Sequence, residues 1–190
     1  MIYAVVLSAG ASTRIGSAKA LLRLADGKTF LQTICEQARA AGVARVLVVT
    51  AAPHGEEIRK SLPTNTQSAI NPHPERGMLS SVQVAVRELP HDARGMLVWP
   101  VDTPLVARET VQTILGAASE KIVVPEFAGR GGHPIYVPKN RFTELLALDH
   151  TQSLKSLMID RAQVARIAVD DKNILLDVDT LTDLTVLLKS

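Results

Sequence analysis

Ile2-Tyr3-Ala4-Val5-Val6-Leu7 runs directly into Ser8-Ala9-Gly10-Ala11-Ser12-Thr13-Arg14-Ile15-Gly16, with Lys19 close behind. A short, nearly unbroken apolar run of this kind is what a strand buried on both faces looks like. The small residues after it let backbone N–H groups approach an anion closely, and successive N–H groups can form an anion-binding nest. Arg14 and Lys19 add two cations to the same loop, and a phosphate-rich ligand calls for this pairing of amides with cations. Taken alone, the segment reads equally well as a Gly/Ser turn carrying a solvated Arg and Lys, so the rest of the chain must decide.

Comparable apolar runs stand at residues 45–50, 96–100 and 121–125. Between them, Thr29-Phe30-Leu31-Gln32 has the spacing of a capping box, and Phe30, Ile34, Ala38 and Ala41 form a helical stripe that stops at Gly42. Residues 56–62 predict a shorter helix ended by Pro63. Ser80-Ser81-Val82-Gln83 repeats the capping-box spacing, and Val106, Thr110, Ile114 and Ala118 mark another helix. Strands alternating with helices predict an α/β fold with a parallel-dominated sheet and right-handed crossovers. Past residue 126 the pattern loosens. Residues 129–132 read as a flexible loop, 134–137 as a short apolar run, 141–148 and 153–159 as helical, and 164–169 as a strand. Thr180-Leu181-Thr182-Asp183 caps a final helix. With no repeat or linker in sight, the expectation is a single domain over residues 1–190.

Composition narrows the function classes. The 190 residues are 46% hydrophobic and 21% charged, which suits a chain with a sizeable core. A net charge of +2 with 3% aromatics, and no basic block, speaks against a nucleic-acid platform. The lone Cys35 excludes an internal disulfide framework and a cysteine-built zinc site. No apolar stretch approaches the roughly 20 residues of a membrane span. Residues 2–7 are too short for a signal-peptide core, so a cytoplasmic location is the expectation.

Two familiar phosphate motifs fail. A P-loop lysine is preceded by Gly and followed by Ser or Thr, whereas Lys19 lies between Ala18 and Ala20. A dinucleotide fingerprint needs a second glycine where Ser12 stands and an acid near the second strand's end, which here reads Thr50-Ala51-Ala52-Pro53. Acids do occur at other element ends. Asp102 follows the run at residues 96–100, and Asp177 and Asp179 precede the last helix. Such carboxylates suit Mg²⁺, a hard cation that prefers oxygen, although Asp179 also suits a helix dipole. Asp170 and Asp171 read most simply as a solvated turn. Residues 71–81 form a polar, proline-stiffened loop that enters a helix at Ser80, where free N–H groups suit a phosphate or a base edge. His133, in Gly131-Gly132-His133-Pro134, is alone. His54, His73, His91 and His150 lack metal-ligand spacing.

In their order along the chain, these segments resemble the nucleotidyltransferases of glycosyltransferase-A-like fold. That group includes sugar-nucleotide pyrophosphorylases, methylerythritol phosphate cytidylyltransferases and the molybdenum cofactor nucleotidyltransferases. Asn71 with Gly77-Met78-Leu79-Ser80-Ser81, Asp102-Thr103-Pro104, Gly132-His133-Pro134 and Asp177-Val178-Asp179-Thr180 look most like molybdenum cofactor cytidylyltransferases. The resemblance implies a three-layer αβα fold with a mostly parallel, mixed sheet. It implies a nucleotide site at Ser8, Ala9, Gly10, Asn71, Ser80 and Ser81, with Arg14 and Lys19 on the phosphates. It also implies Mg²⁺ on Asp102 and Asp179, and His133 on the acceptor side. Arg14, Lys19 and Asp102 would carry the chemistry: attack by an acceptor phosphate oxygen on the α-phosphorus, with pyrophosphate leaving.

By the same resemblance Ala9-Gly10, in place of two glycines, and Ser80-Ser81 favour CTP over GTP. Ser8 stands where alanine is usual, and Val101 where many cytidylyltransferases have glycine. The implied acceptor is the molybdenum cofactor, and the implied recipient of the product is a molybdoenzyme or an insertion chaperone. Guanylyl transfer, methylerythritol phosphate as acceptor, and a nucleotide-binding module without turnover stand as the alternatives.

Overall fold

In the computed structural model, described for residues 1–10, 18–178, 180, 182, 183 and 185, the expected alternation of strands and helices is present. The strands are β1 (Ile2–Ser8), β2 (Arg45–Thr50), β3 (Thr66–Ile70), β4 (Gly95–Pro100), β5 (Ile122–Phe127), β6 (Arg130–Gly131), β7 (Ile135–Pro138) and β8 (Val164–Ala168). The helices are α1 (Phe30–Ala40), α2 (Gly55–Lys60), α3 (Met78–Glu88), α4 (Arg108–Gly116) and α5 (Phe142–Ala147). The eight strands form one mixed sheet in the order β3-β2-β1-β4-β7-β5, with β6 and β8 both paired to β5. The long ladders, β1 with β2 and β4, β2 with β3, and β5 with β8, are parallel. Only the shorter pairings of β7 and β6 are antiparallel.

Alternation along β1 sorts the core into two layers. Ala4 and Val6 face α1 and α4, packing with Ile34, Val111 and Trp99. Val5 and Leu7 face α3 and α5, packing with Val82 and Leu145. Both faces of the central strands are therefore buried, which is why their sequences read as continuous apolar runs. Thr29 and Gln32 make the reciprocal capping box on α1, at 3.1 and 2.8 Å. Asp183 and Thr180 exchange the equivalent bonds at 3.1 and 2.7 Å. Among the described residues no helix is long and apolar enough to cross a membrane.

Four local expectations are corrected. The chain forms two strands that the apolar pattern missed: β3, a polar edge strand reading Thr-Gln-Ser-Ala-Ile, and β6, inside the supposed flexible loop. Helix α3 starts at Met78 behind Gly77, whose φ of 79° is open to glycine. Ser80 lies within its first turn, with its hydroxyl in reach of the Gly77 and His73 carbonyls at 2.8 and 3.0 Å, so it is not the cap. The helix expected at 153–159 is a 3₁₀ turn, Leu154–Met158. Asp171 is not a solvated turn residue; it is 7% exposed and bonded to α4.

Cys35 sits wholly buried on α1. Burial, the largest influence, pushes its thiol up to about 11. The folded state thus holds the proton more tightly than the unfolded chain, for which the ordinary value is about 8.5. This contribution to stability is complete below that ordinary value and is lost as pH rises through about 11. We expect a thiol reagent at pH 8 to react only at the rate of unfolding. The fall in urea midpoint between about pH 9 and 11 should be shallower in Cys35→Ala.

Candidate active site

Parallel strands β1, β2 and β4 deliver their carboxyl ends to one edge of the sheet, where ligands bind in open α/β folds. Ser8 and Ala9 are buried at the end of β1, and Gly10 opens to solvent. Next to them, Val101 N–H donates to the Leu7 carbonyl at 3.1 Å, carrying the β1–β4 pairing one residue past β4. Asp102 emerges there. The turn behind it is rigid: Trp99 Nε1 donates to the Thr103 carbonyl at 3.0 Å, and Thr103 Oγ1 to the Pro100 carbonyl at 2.9 Å.

A 3₁₀ turn, Lys19–Leu21, brings the loop cation back to this point. Lys19 Nζ lies 3.3 Å from Asp102 Oδ2, a pair formed across 83 residues. The other carboxylate oxygen, Asp102 Oδ1, is buried and has no hydrogen-bond partner among the described residues. Buried acceptors are nearly always satisfied. An orphaned carboxylate oxygen at a strand end, next to the Lys19 ammonium, fits a hard divalent cation, whose ligands are oxygens. Among the described residues no group of three or more His, Cys, Asp or Glu is placed to hold a metal. Nucleotide phosphates and water would complete the coordination of a cation at Asp102, as they commonly do for Mg²⁺.

His133 approaches from β7. Its backbone N–H donates to the Ile174 carbonyl at 3.0 Å, and its Nδ1 is buried with no partner among the described residues. Burial, first of all, depresses the imidazole below its ordinary value. The Lys155 charge acts the same way, while the Val98 carbonyl and Asp102 pull against them. The ring is thereby biased to its neutral form.

Asn71 is 2% exposed and follows β3 directly. Its Nδ2 donates to Ser80 Oγ at 2.8 Å and Ser81 Oγ at 2.9 Å, and its Oδ1 accepts from His73 N–H at 2.9 Å. These three predicted site residues do come together. With its amide donors engaged, Asn71 acts by pinning residues 71–77 to α3. Arg14, the rest of the loop over residues 11–17 and Asp179 lie outside the described residues. Sequence reasoning missed Asp171, which sits in no motif and is placed by tertiary packing alone. A groove of about 830 Å³ lined by Arg94, Tyr136 and Lys139 opens at the amino ends of β1 and β4, the wrong end of a parallel sheet for this chemistry.

Comparison with known proteins identifies the family and the fold. A family model described as the MobA-like NTP transferase domain matches residues 4–165. The crystal structure of Rv0371c from Mycobacterium tuberculosis H37Rv superposes with a TM-score of 0.86 at 32% identity, over 100% of this chain and 97% of that one. A structure of Rv0371c in complex with manganese gives 0.81 at 30%, over 100% and 98%. Molybdopterin-guanine dinucleotide biosynthesis protein A from Archaeoglobus fulgidus, at 18% identity and a TM-score of 0.73 over 98% and 97%, shares the fold. Among curated proteins, the bifunctional protein GlmU of Exiguobacterium sibiricum is 33% identical over 115 residues, covering 60% of this chain. That match spans only 25% of the GlmU chain.

Proposed function

The chain belongs to the MobA-like NTP transferase family and is a nucleotidyltransferase, and from that premise we propose that it moves CMP from CTP to the phosphate of the molybdenum cofactor, releasing pyrophosphate. The observation that carries this reading is the Lys19–Asp102 pair at 3.3 Å with the orphaned Asp102 Oδ1 beside it.

In the reaction an acceptor phosphate oxygen bonds to the α-phosphorus of CTP while the bond from that phosphorus to the bridging oxygen breaks. Such a displacement is limited by charge repulsion and alignment, so positioning and neutralisation supply most of the catalysis. Lys19 and Arg14 would neutralise the triphosphate from the loop after β1. Asp102, with Asp179 as a second acid, would hold Mg²⁺, which when bound lends further positive charge to the phosphates. That Rv0371c has been crystallised in complex with manganese favours the use of a divalent ion here. Ser8, Ala9 and Gly10 would offer close backbone contacts to the nucleotide, and Ala9-Gly10 favours cytosine. Asn71, Ser80 and Ser81 would set the wall of that pocket. His133, biased to neutrality, would border the acceptor side without adding charge there. The product would pass to a molybdoenzyme or its insertion chaperone.

Pyrophosphate release with Mg²⁺, CTP or GTP, and either molybdenum-loaded molybdopterin or methylerythritol phosphate tests the proposal directly. Release with CTP and the molybdenum cofactor, several-fold above every other pairing, is the expected result. A GTP preference would overturn the base assignment, and turnover with methylerythritol phosphate would overturn the acceptor. Nucleotide binding with no release from any pairing would also count against the acceptor.

A further inference from the structure

Residues 171–178 hold the Asp102 loop at both of its ends. At one end Asp171, 7% exposed, accepts at Oδ2 from Ala107 N–H and Thr110 Oγ1, each at 2.8 Å, and at Oδ1 from Asn173 N–H at 3.0 Å. Ala107 is the N-cap residue of α4 and has no side chain to cap with. A serine or threonine there would cap the helix locally, whereas this chain uses a buried carboxylate 64 residues away. That choice ties α4 to the segment. At the other end Val178 N–H donates to the Asp102 carbonyl at 3.1 Å. Midway, the Ile174 carbonyl accepts from His133 N–H at 3.0 Å. One short segment therefore spaces two strand ends that carry different parts of the site.

We propose that Asp171 is a positioning residue for nucleotidyl transfer, anchoring the segment that sets Asp102 against His133. The inference rests on the role given to Asp102 above. Displacements near 1 Å at a reacting centre can cost about 10²-fold, so loosening one end of a held loop should be visible in both metal binding and rate.

The test is a double-mutant cycle on the full chain, read by Mn²⁺ binding in the presence of CTP (electron paramagnetic resonance) and by kcat and KM for CTP with molybdenum-loaded molybdopterin. Asp171→Ala is expected to weaken Mn²⁺ binding and lower kcat by about tenfold each. KM for CTP should move less than about threefold, with native circular dichroism. In the Asp102→Asn background the same change should cost little more, because residues acting through one another are non-additive. Should Asp171→Ala not fold, Asp171→Asn, which keeps the volume and one acceptor oxygen, and Thr110→Val are expected to give smaller losses of the same pattern. A folded variant with unchanged Mn²⁺ binding and kcat, or an equal loss in both backgrounds, overturns the proposal. Wild-type metal binding and turnover in Asp102→Asn alone would overturn the reading of Asp102, and this inference with it. Losses in Asp102→Asn but none at Asp171 would overturn this inference alone.

Discussion

Asp102→Asn should lower turnover by about 10²-fold or more, the scale of losing one transition-state electrostatic contact, while CTP binding weakens only modestly. The substitution keeps volume and shape and removes one unit of negative charge. In the native chain that charge is poised between Lys19 Nζ at 3.3 Å and an oxygen, Oδ1, with nothing described to bond it. The two side chains are 14% and 26% exposed, so water screens the pair only in part. With asparagine there, a divalent cation would lose one of its anionic ligands. Binding should hold up better than rate, because on the proposed reading the Ala9 and Gly10 amides and Lys19 would remain to hold the nucleotide. Folding should not suffer: a carboxylate oxygen kept orphaned serves function at the expense of stability, so the Tm should stay level or rise. Turnover by pyrophosphate release, CTP affinity by calorimetry and Tm by thermal unfolding separate the three effects. Unchanged turnover would remove Asp102 from the reaction.

The parts legible in the sequence are those that local physics dictates. β1 and β4 declare themselves because both of their faces are buried, and α1 because its capping box and stripe are contiguous in sequence. The strand–loop and strand–acid junctions followed from them, but the pairing of Lys19 with Asp102 spans 83 residues and is set by the fold alone. β3 was not legible, because at the sheet edge the neighbouring Gln67 and Ser68, which point to opposite faces, are both exposed, and the apolar signal is lost. The start of α3 was misplaced because Ser80 has capping chemistry, but Gly77 turns the chain three residues earlier. Asp171 defeats any reading by pattern. Asp171 is polar in a polar stretch, and only the docking of residues 171–178 on α4 buries it.

Gly132→Ala should damage stability and turnover together, although alanine adds one methyl group. A Cβ built on Gly132 would stand 2.2 Å from the Ile174 carbonyl oxygen, 2.7 Å from its carbon and 2.8 Å from the Ile174 Cβ. Two of these neighbours are backbone atoms and cannot rotate away. The backbone at Gly132 is not left-handed, so the requirement is for space. Overpacking of this kind costs about 1–3 kcal/mol and occasionally more, or a fall in Tm of roughly 2–10 °C for a chain of this size. Relief can come only by pushing the Ile174 carbonyl away from the 132–133 turn. That carbonyl holds His133 N–H, and the same segment holds the Asp102 carbonyl through Val178, so kcat should fall along with Tm.

The adjacent Gly131→Ala is the internal control. Its added Cβ would meet Val124 Cγ1 at 3.0 Å and an Arg166 guanidinium nitrogen at 3.1 Å, both side-chain atoms, the second at the end of a flexible chain. It should cost well under half as much in Tm and leave kcat near the native value. Thermal unfolding and pyrophosphate release on the two variants decide the matter. A Gly132→Ala protein with lowered Tm and native kcat would mean that the Ile174 contact braces the fold without bearing on the site. Equal effects at both glycines would mean that the turn tolerates no added bulk at either position, whatever that bulk meets.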